Sequence, residues 1–198
     1  MKSITASSAL RLATVALALS AAACATRSGT PDMPGAFTLT SSAFADGTLM
    51  PVKAAGNNKA NPNCIGENVS PPLAWSNAPT GTRSFALIMI DPEGRGGLAV
   101  DHWIAYGIPA TLNGFAEGET SQLSNKYVGG KGTAGVGHYM GPCTPAMNGY
   151  HHYTFTLIAT DLDPTALPPG LSRTQLLEQL NGHAKSAAGL VGLFGRAQ

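Results

Sequence analysis

The alternation of apolar and polar residues predicts three strands that carry most of the core. Residues 84–90 are apolar at both alternating sets of positions, which is typical of a central strand buried on both faces. A second apolar run covers residues 102–108. A third, over residues 151–161, places His151 and Tyr153 on one strand face and His152 on the other, where we expect no role for it.

One segment has a clear helical pattern. Ser172 and Gln175 form a capping-box signature, and Gly182 ends the segment. Its apolar stripe consists of Leu176, Leu177 and Leu180. A short second helix over residues 183–188 and a final strand over residues 190–194 are also predicted. Strands first and a helix last, without regular βαβ alternation, indicate a mainly β fold of antiparallel sheets with a C-terminal helical segment.

Loops separate these elements. Asp91 and Pro92 end the first strand with a turn, and Gly94, Gly96 and Gly97 then interrupt regular structure. An Asp-Pro pair after a strand is commonly no more than a turn. Residues 56–63 form a polar loop rich in asparagine, and residues 110–137 have the composition of a loop throughout.

The first 25 residues have the features of an export signal rather than of a fold. Lys2 and Arg11 precede an apolar segment over residues 12–19, which is too short to span a bilayer as a mature helix. Cleavage before Cys24 would give a lipoprotein of the periplasm or outer membrane, and this is the preferred interpretation. Cleavage after Ala23 or Ala25 would give a secreted protein. Residues 26–35 are predicted to be a flexible tether, and residues 36–198 one folded domain.

Composition and charge exclude several functions. Only 12% of residues are charged and the net charge is +1, which gives no electrostatic basis for binding nucleic acid or an anionic membrane. No metalloprotease, phosphate-loop or serine-hydrolase motif occurs. Asp91, His102 and His151 could in principle supply zinc ligands, but we expect neither a metal nor a cofactor.

Five ordered blocks of the chain carry a family resemblance. They are SSAFADGTLMP, CIGENVSPPLAW, DPEGRGGLAVDHWIAYGIP, GPCTPAMNGYHHYTFTLIATD and GHAKSAAGLVGLFGR. In this order they resemble the bacterial form of the phosphatidylethanolamine-binding proteins, also called Raf kinase inhibitor proteins, from about residue 37 to residue 196. The resemblance implies two antiparallel sheets, a helix near the C-terminus and a small pocket for phosphate-like anions.

By resemblance, seven residues line that pocket: Asp91, Glu93, His102, Gly141, Pro142, His151 and Tyr153. Histidine and tyrosine side chains, with backbone amides near Gly141, would donate hydrogen bonds to an anion, and Asp91 would orient a histidine. The chain departs from the family pattern DPDAP, because residues 91–95 read DPEGR. Its second acid, Glu93, is therefore longer than the family's aspartate.

The resemblance also implies a function and a disulfide. We expect a non-enzymatic envelope protein that binds a small phosphate-like ligand and meets a membrane only through a lipid on Cys24. The alternatives are a protein-interaction or inhibitor module acting on an envelope, secreted or host protein, and, less favoured, a hydrolase. The family positions of Cys64 and Cys143 both flank the pocket, so an exported chain is predicted to pair them.

Overall fold

The computed structural model describes residues 35–146 and 149–195. The predicted export signal and most of the predicted tether lie outside these residues. Two β-sheets account for most of the regular structure. The first has the strand order β2-β9-β8-β4-β5-β7 and the second the order β1-β3-β6. Their strands are β1 (Thr38–Thr40), β2 (Thr48–Leu49), β3 (Leu73–Ser76), β4 (Ser84–Asp91), β5 (Val100–Pro109), β6 (Gly114–Phe115), β7 (Val128–Gly129), β8 (His151–Thr160) and β9 (Ala184–Phe194).

The mainly β, antiparallel prediction is confirmed. Every strand pair in the two sheets is antiparallel except β2 with β9, which is parallel. Strand β4 lies in the middle of the large sheet between β8 and β5, as its apolar pattern predicts. Phe85, Leu87 and Met89 face a core shared with the small sheet, and Ala86 and Ile88 face a second core on the opposite side.

The second core is covered by helix α2, which spans Arg173–Leu180. The capping box is present, since Ser172 Oγ accepts from the Gln175 amide while the Gln175 side chain accepts from the Ser172 amide. These bonds satisfy amides that the first helical turn leaves without partners. Leu176 and Leu180 are buried against the sheet, and Leu177 is exposed. A 3-10 turn at Val52–Ala54 and the short α1 at Gly94–Gly97 complete the helices of the described chain.

Two sequence predictions were wrong. All but the first residue of the predicted helix over residues 183–188 belong to strand β9 (Ala184–Phe194), which pairs with β8 apart from a bulge at Lys185. The row of backbone donors and acceptors on β8 overrides the weak helical preference of this alanine-rich segment. Residues 110–137 are not loop throughout, because they contain β6 and β7, which are too short to show an alternating pattern.

No helix in the described ranges has both the length and the apolar character needed to cross a membrane.

Candidate ligand-binding site

The sheet order brings distant residues to one edge. Strand β4 runs antiparallel to both β5 and β8, so its C-terminal end lies beside the N-terminal ends of both neighbours. Asp91 ends β4, His102 lies near the start of β5, and His151 begins β8. These side chains and Tyr153 are buried and line one cavity of about 520 Å³. We call these four residues the floor of the cavity.

Asp91 and His151 form a buried pair. His151 Nδ1 lies 2.8 Å from Asp91 Oδ2, and the two side chains are 8% and 5% exposed. The other oxygen, Asp91 Oδ1, accepts a hydrogen bond from the Gly94 amide at 2.9 Å. Because a carboxylate only accepts, Nδ1 of His151 carries the proton of this bond. Asp91 therefore orients His151, as the resemblance implies.

A β-bulge brings His102 into the cavity. Met89 pairs with Trp103 and Ile90 with Asp101, so His102 is an extra residue in β5 without its own partner in β4. Regular alternation would place it with Ile104, on the face covered by α2. Instead, its ring packs edge-on against Tyr153, with centroids 5.1 Å apart.

His102 is held in one tautomer. Its Nδ1 lies 2.9 Å from the Met140 carbonyl oxygen, which only accepts, so Nδ1 carries a proton. Burial lowers the pKa of His102, although this bond and the charges of Asp91 and Asp101 act in the opposite direction. His102 is therefore neutral at neutral pH, and its Nε2 is a bare acceptor.

The lowered pKa predicts a loss of stability in mild acid. The unfolded chain takes up a proton at His102 as the pH falls through about 6.5, but the folded protein does so only at lower pH. The free energy of unfolding should therefore fall below pH 6.5 by up to about 1.4 kcal/mol per pH unit from this residue. Urea unfolding at pH 7.5, 6.0 and 5.0 measures this fall in the free energy of unfolding. His102→Asn, which keeps a donor for the Met140 carbonyl, should make the free energy of unfolding less dependent on pH. If the variant loses as much stability in acid as the wild type, His102 is not the cause.

Tyr153 is hydrogen-bonded below the cavity surface. Its hydroxyl lies 2.8 Å from Thr144 Oγ1, and Thr144 Oγ1 also donates to the Phe194 carbonyl at 3.3 Å. Burial raises the pKa of Tyr153 well above its usual value, and the charge of Asp91 raises it further. Tyr153 therefore keeps its proton throughout the physiological range.

Glu93 and His152 form a contact at the cavity edge. Glu93 lines the cavity, as predicted, but its Oε1 lies 2.6 Å from His152 Nδ1 and its Oε2 accepts from the His152 amide at 3.2 Å. Burial on its own would raise the pKa of Glu93, but the hydrogen bonds with His152 lower it overall. His152 lies on the exposed face of β8, opposite to His151, as strand alternation predicts, and the expectation that it has no role in the site stays a prediction.

Gly141 lines the cavity, whereas Pro142 does not belong to the wall. The Pro142 carbonyl accepts from the Gly56 amide at 2.8 Å, so this residue anchors the turn to the asparagine-rich loop instead. Gly141 donates its amide to Asn68 Oδ1 at 2.7 Å. Asn68 is buried with a left-handed φ of 58°, and no local sequence pattern indicates this supporting role.

Cys64 and Cys143 are joined in a disulfide, with their Cα atoms 4.4 Å apart. Both line the cavity. The bond ties the asparagine-rich loop to the Gly141 turn, so that two segments far apart in the sequence form one wall.

One group of described residues could hold a metal ion. Asp91, Glu93 and His151 offer ligand atoms within 4.8 Å of one another. Each of them also has a hydrogen-bond partner within the chain. His102, which we considered as a zinc ligand, is not part of this group.

Comparison with known protein families identifies the family of this chain. A family model described as phosphatidylethanolamine-binding protein matches residues 40–195. The chain belongs to the phosphatidylethanolamine-binding protein family. The matched residues include the whole of β4, β5 and β8, whose ends carry Asp91, His102, His151 and Tyr153.

Relatives and solved structures are similar over most of the chain. "Putative lipoprotein LppC" of Mycobacterium tuberculosis is 39% identical over 157 residues, which cover 79% of this chain and 71% of that protein. A UPF0098 protein of Aquifex aeolicus is 36% identical over 135 residues, which cover 67% of this chain and 78% of that protein. The crystal structure of E. coli YbcL, described as a new member of the mammalian PEBP family, has a TM-score of 0.72. It is 26% identical and covers 81% of this chain and 99% of YbcL.

Several wall residues have no counterpart in the sequence prediction. They are Asn58, Asn61, Asn63, Arg95, Thr133 and Thr144, among others. The asparagine-rich composition of residues 56–63 was the available signal for three of them. Nothing local to the sequence indicates that this loop faces the end of β4.

Proposed function

We propose that this protein is a non-enzymatic binding protein of the cell envelope whose cavity takes a small organic anion of the phosphate class. The convergence of Asp91, His102, His151 and Tyr153 on one cavity supports this proposal. A volume of about 520 Å³ lies in the range of sites for small organic molecules. Membership of the phosphatidylethanolamine-binding protein family supports it as well.

The chemistry of the wall favours binding over hydrolysis. A nucleophilic mechanism needs a hydroxyl or thiol beside a base. Among the described residues of the wall there is no serine, and Cys64 and Cys143 are in a disulfide. Thr144 and Tyr153 are hydrogen-bonded to each other rather than to a histidine, and the remaining wall hydroxyl, Thr133 Oγ1, accepts from the Asp101 amide at 2.9 Å. The pair of Asp91 and His151 therefore has no nucleophile to activate in this part of the chain.

The envelope location is supported by the sequence of the first 25 residues and by the name of one relative. The relative from Mycobacterium tuberculosis is named as a lipoprotein. In this chain Cys24 is the residue that would carry the lipid. Mass spectrometry of the mature N-terminus tests the anchor, and an unmodified terminus at or beyond Cys24 would contradict it.

Removal of His151 tests the binding role. We expect His151→Ala to weaken the binding of sorbitol 6-phosphate, a phosphate monoester of suitable size, by 10- to 100-fold in calorimetry. This corresponds to about 1–3 kcal/mol, the usual cost of leaving a polar partner unpaired. His183→Ala is the matched control, because His183 is exposed, pairs with Asp161 and lies outside the cavity wall. Equal losses in the two variants, or no binding of phosphate monoesters by the wild type, would contradict the proposal.

A further inference from the structure

We propose that the exposed part of the cavity holds a second anion subsite, formed by Arg95 with Asn58 and Asn61. The ligand class is then a phosphate monoester that carries a second acidic group. We call these three residues the rim, and they line the same cavity as the floor but are exposed or half-buried. The inference rests on the proposed anion-binding function, in which the phosphate lies at the floor with His151, and it specifies the class of ligand that this function serves.

Arg95 supplies the positive charge of the rim. It is exposed, and it is the one lysine or arginine among the described residues of the wall. Within residues 35–146 and 149–195 its side chain has no hydrogen bond or ion pair. The two other arginines in these ranges, Arg83 and Arg173, each pair with an aspartate. The guanidinium group of Arg95 is therefore available to a ligand.

The backbone at Arg95 also points to a role for its side chain. Its φ of 55° and ψ of 36° are left-handed, a conformation that glycine adopts far more readily than arginine. The turn is nevertheless fixed, because the Gly94 amide donates to Asp91 Oδ1 at 2.9 Å and the Gly97 amide donates to the Glu93 carbonyl at 3.1 Å. Strained residues of this kind are common at ligand-binding sites. Here the strain keeps an arginine, rather than a glycine, on the cavity wall.

The asparagine-rich loop adds neutral donors to the rim. The side-chain oxygens of Asn58 and Asn61 accept from the Ala60 and Asn63 amides at 3.0 Å each. Since the oxygen of each side chain is already bonded, its NH₂ group is the part left to donate to a ligand. The rim thus combines one cation with amide donors, which is suited to an anionic group.

The acidic wall residues outside the floor do not neutralise Arg95. They are Glu93 and Asp101 among the described residues. Both side-chain oxygens of Glu93 bond to His152, one to its ring and one to its amide. Asp101 accepts from Arg173 Nε at 2.7 Å and forms an ion pair with it. Each carboxylate therefore has a partner other than Arg95.

The shape of the cavity requires the second acidic group to be separate from the phosphate. The floor is buried, the rim is exposed, and the volume of about 520 Å³ is typical of sites that enclose a small organic molecule rather than a single ion. An elongated ligand can reach both ends. Guanidinium presents parallel N–H groups that match the two oxygens of a carboxylate or of a phosphate. The group at the rim is therefore a second acid on the same molecule.

Two matched probes test the rim. 6-Phosphogluconate and sorbitol 6-phosphate share a hydroxylated six-carbon chain with a phosphate at one end, and at the other end the first has a carboxylate and the second a hydroxymethyl group. In calorimetry at low ionic strength we expect the wild type to bind 6-phosphogluconate about fivefold more tightly, the upper end of the gain from an exposed ion pair. Added salt should reduce this ratio, because it screens exposed charges.

Variants assign the gain to Arg95. Arg95→Asn, chosen because asparagine tolerates the left-handed φ of 55°, should lower the ratio of the two affinities below about twofold. Arg95→Lys keeps the charge without the planar fork and should restore part of the ratio. Arg83→Ala is the matched control, since it removes the same charge from an exposed arginine that pairs with Asp163 outside the wall. It should keep the wild-type ratio.

The outcomes separate this inference from the function on which it rests. If the wild type binds the two probes equally, or if Arg95→Asn keeps their ratio, the rim is not an acid subsite. If Arg95→Asn weakens both probes by the same factor, Arg95 holds the phosphate and the assignment of the two ends is wrong. In these cases the anion-binding function stands as long as sorbitol 6-phosphate binds and His151→Ala weakens it. If neither probe binds the wild type, the proposed function is overturned, and this inference with it.

Discussion

Replacing Cys64 and Cys143 together by alanine is expected to lower the free energy of unfolding by about 2–4 kcal/mol. The disulfide joins residues 79 positions apart, and a cross-link over a long segment restricts the unfolded chain strongly. Urea unfolding of the variant and of the wild type under oxidising conditions measures the difference.

Reduction supplies the control for this prediction. Dithiothreitol should bring the wild type close to the stability of the double variant and leave the double variant unchanged. Because both cysteines line the cavity, reduction should also weaken ligand binding by loosening the wall between the asparagine-rich loop and the Gly141 turn. A reduced wild type that remains as stable as the oxidised protein would show that the disulfide contributes little.

The second large effect is expected at Gly141. A Cβ atom added there would overlap the Ala54 carbonyl oxygen and lie 2.7 Å from the Gly56 amide nitrogen. Both are backbone atoms, so no side chain can rotate away to make room. Gly141→Ala should therefore lower the free energy of unfolding by about 3 kcal/mol, at the upper end of the usual cost of overpacking. Urea unfolding measures the change.

Gly189→Ala is the matched control for this substitution. Gly189 lies in β9, and a Cβ atom added there would have the Phe155 carbonyl oxygen as its nearest neighbour, at 3.9 Å. The stability of this variant should stay within about 0.5 kcal/mol of the wild type, as for most surface substitutions. If the two alanine variants are equally stable, the backbone around Ala54 and Gly56 can make room for a side chain at residue 141, and the expectation is contradicted.

The cavity depends on a small number of tertiary contacts. Asn68 accepts the Gly141 amide and donates to the Tyr139 carbonyl at 3.2 Å. Tyr139, which is fully buried, donates its hydroxyl to the Ala54 carbonyl at 2.7 Å. These bonds join the segments around residues 54, 68 and 141 into one support behind the cavity wall. They explain why Gly141 has no space for a side chain.

The elements with local patterns could be predicted from the amino-acid sequence alone. Apolar residues at both sets of positions in residues 84–90 identified a central strand. Strict alternation identified β8 and placed His151 and Tyr153 on one face. The capping box of Ser172 and Gln175 located the start of α2, which begins at Arg173 directly after the Ser172 cap. In each case the physical cause, burial of one face or satisfaction of free amides, acts between near neighbours.

The remaining features depend on long-range contacts, because their causes lie elsewhere in the chain. Strand β9 forms where β8 offers a complete row of backbone partners, against the helical preference of residues 183–188. A bulge opposite Met89 and Ile90 turns His102 towards the cavity, which strand alternation cannot predict. The contact between Glu93 and His152 depends in the same way on the turn after β4. The asparagine-rich loop becomes part of the cavity wall in the same way, since tertiary contacts, including the disulfide, bring it beside the strand ends.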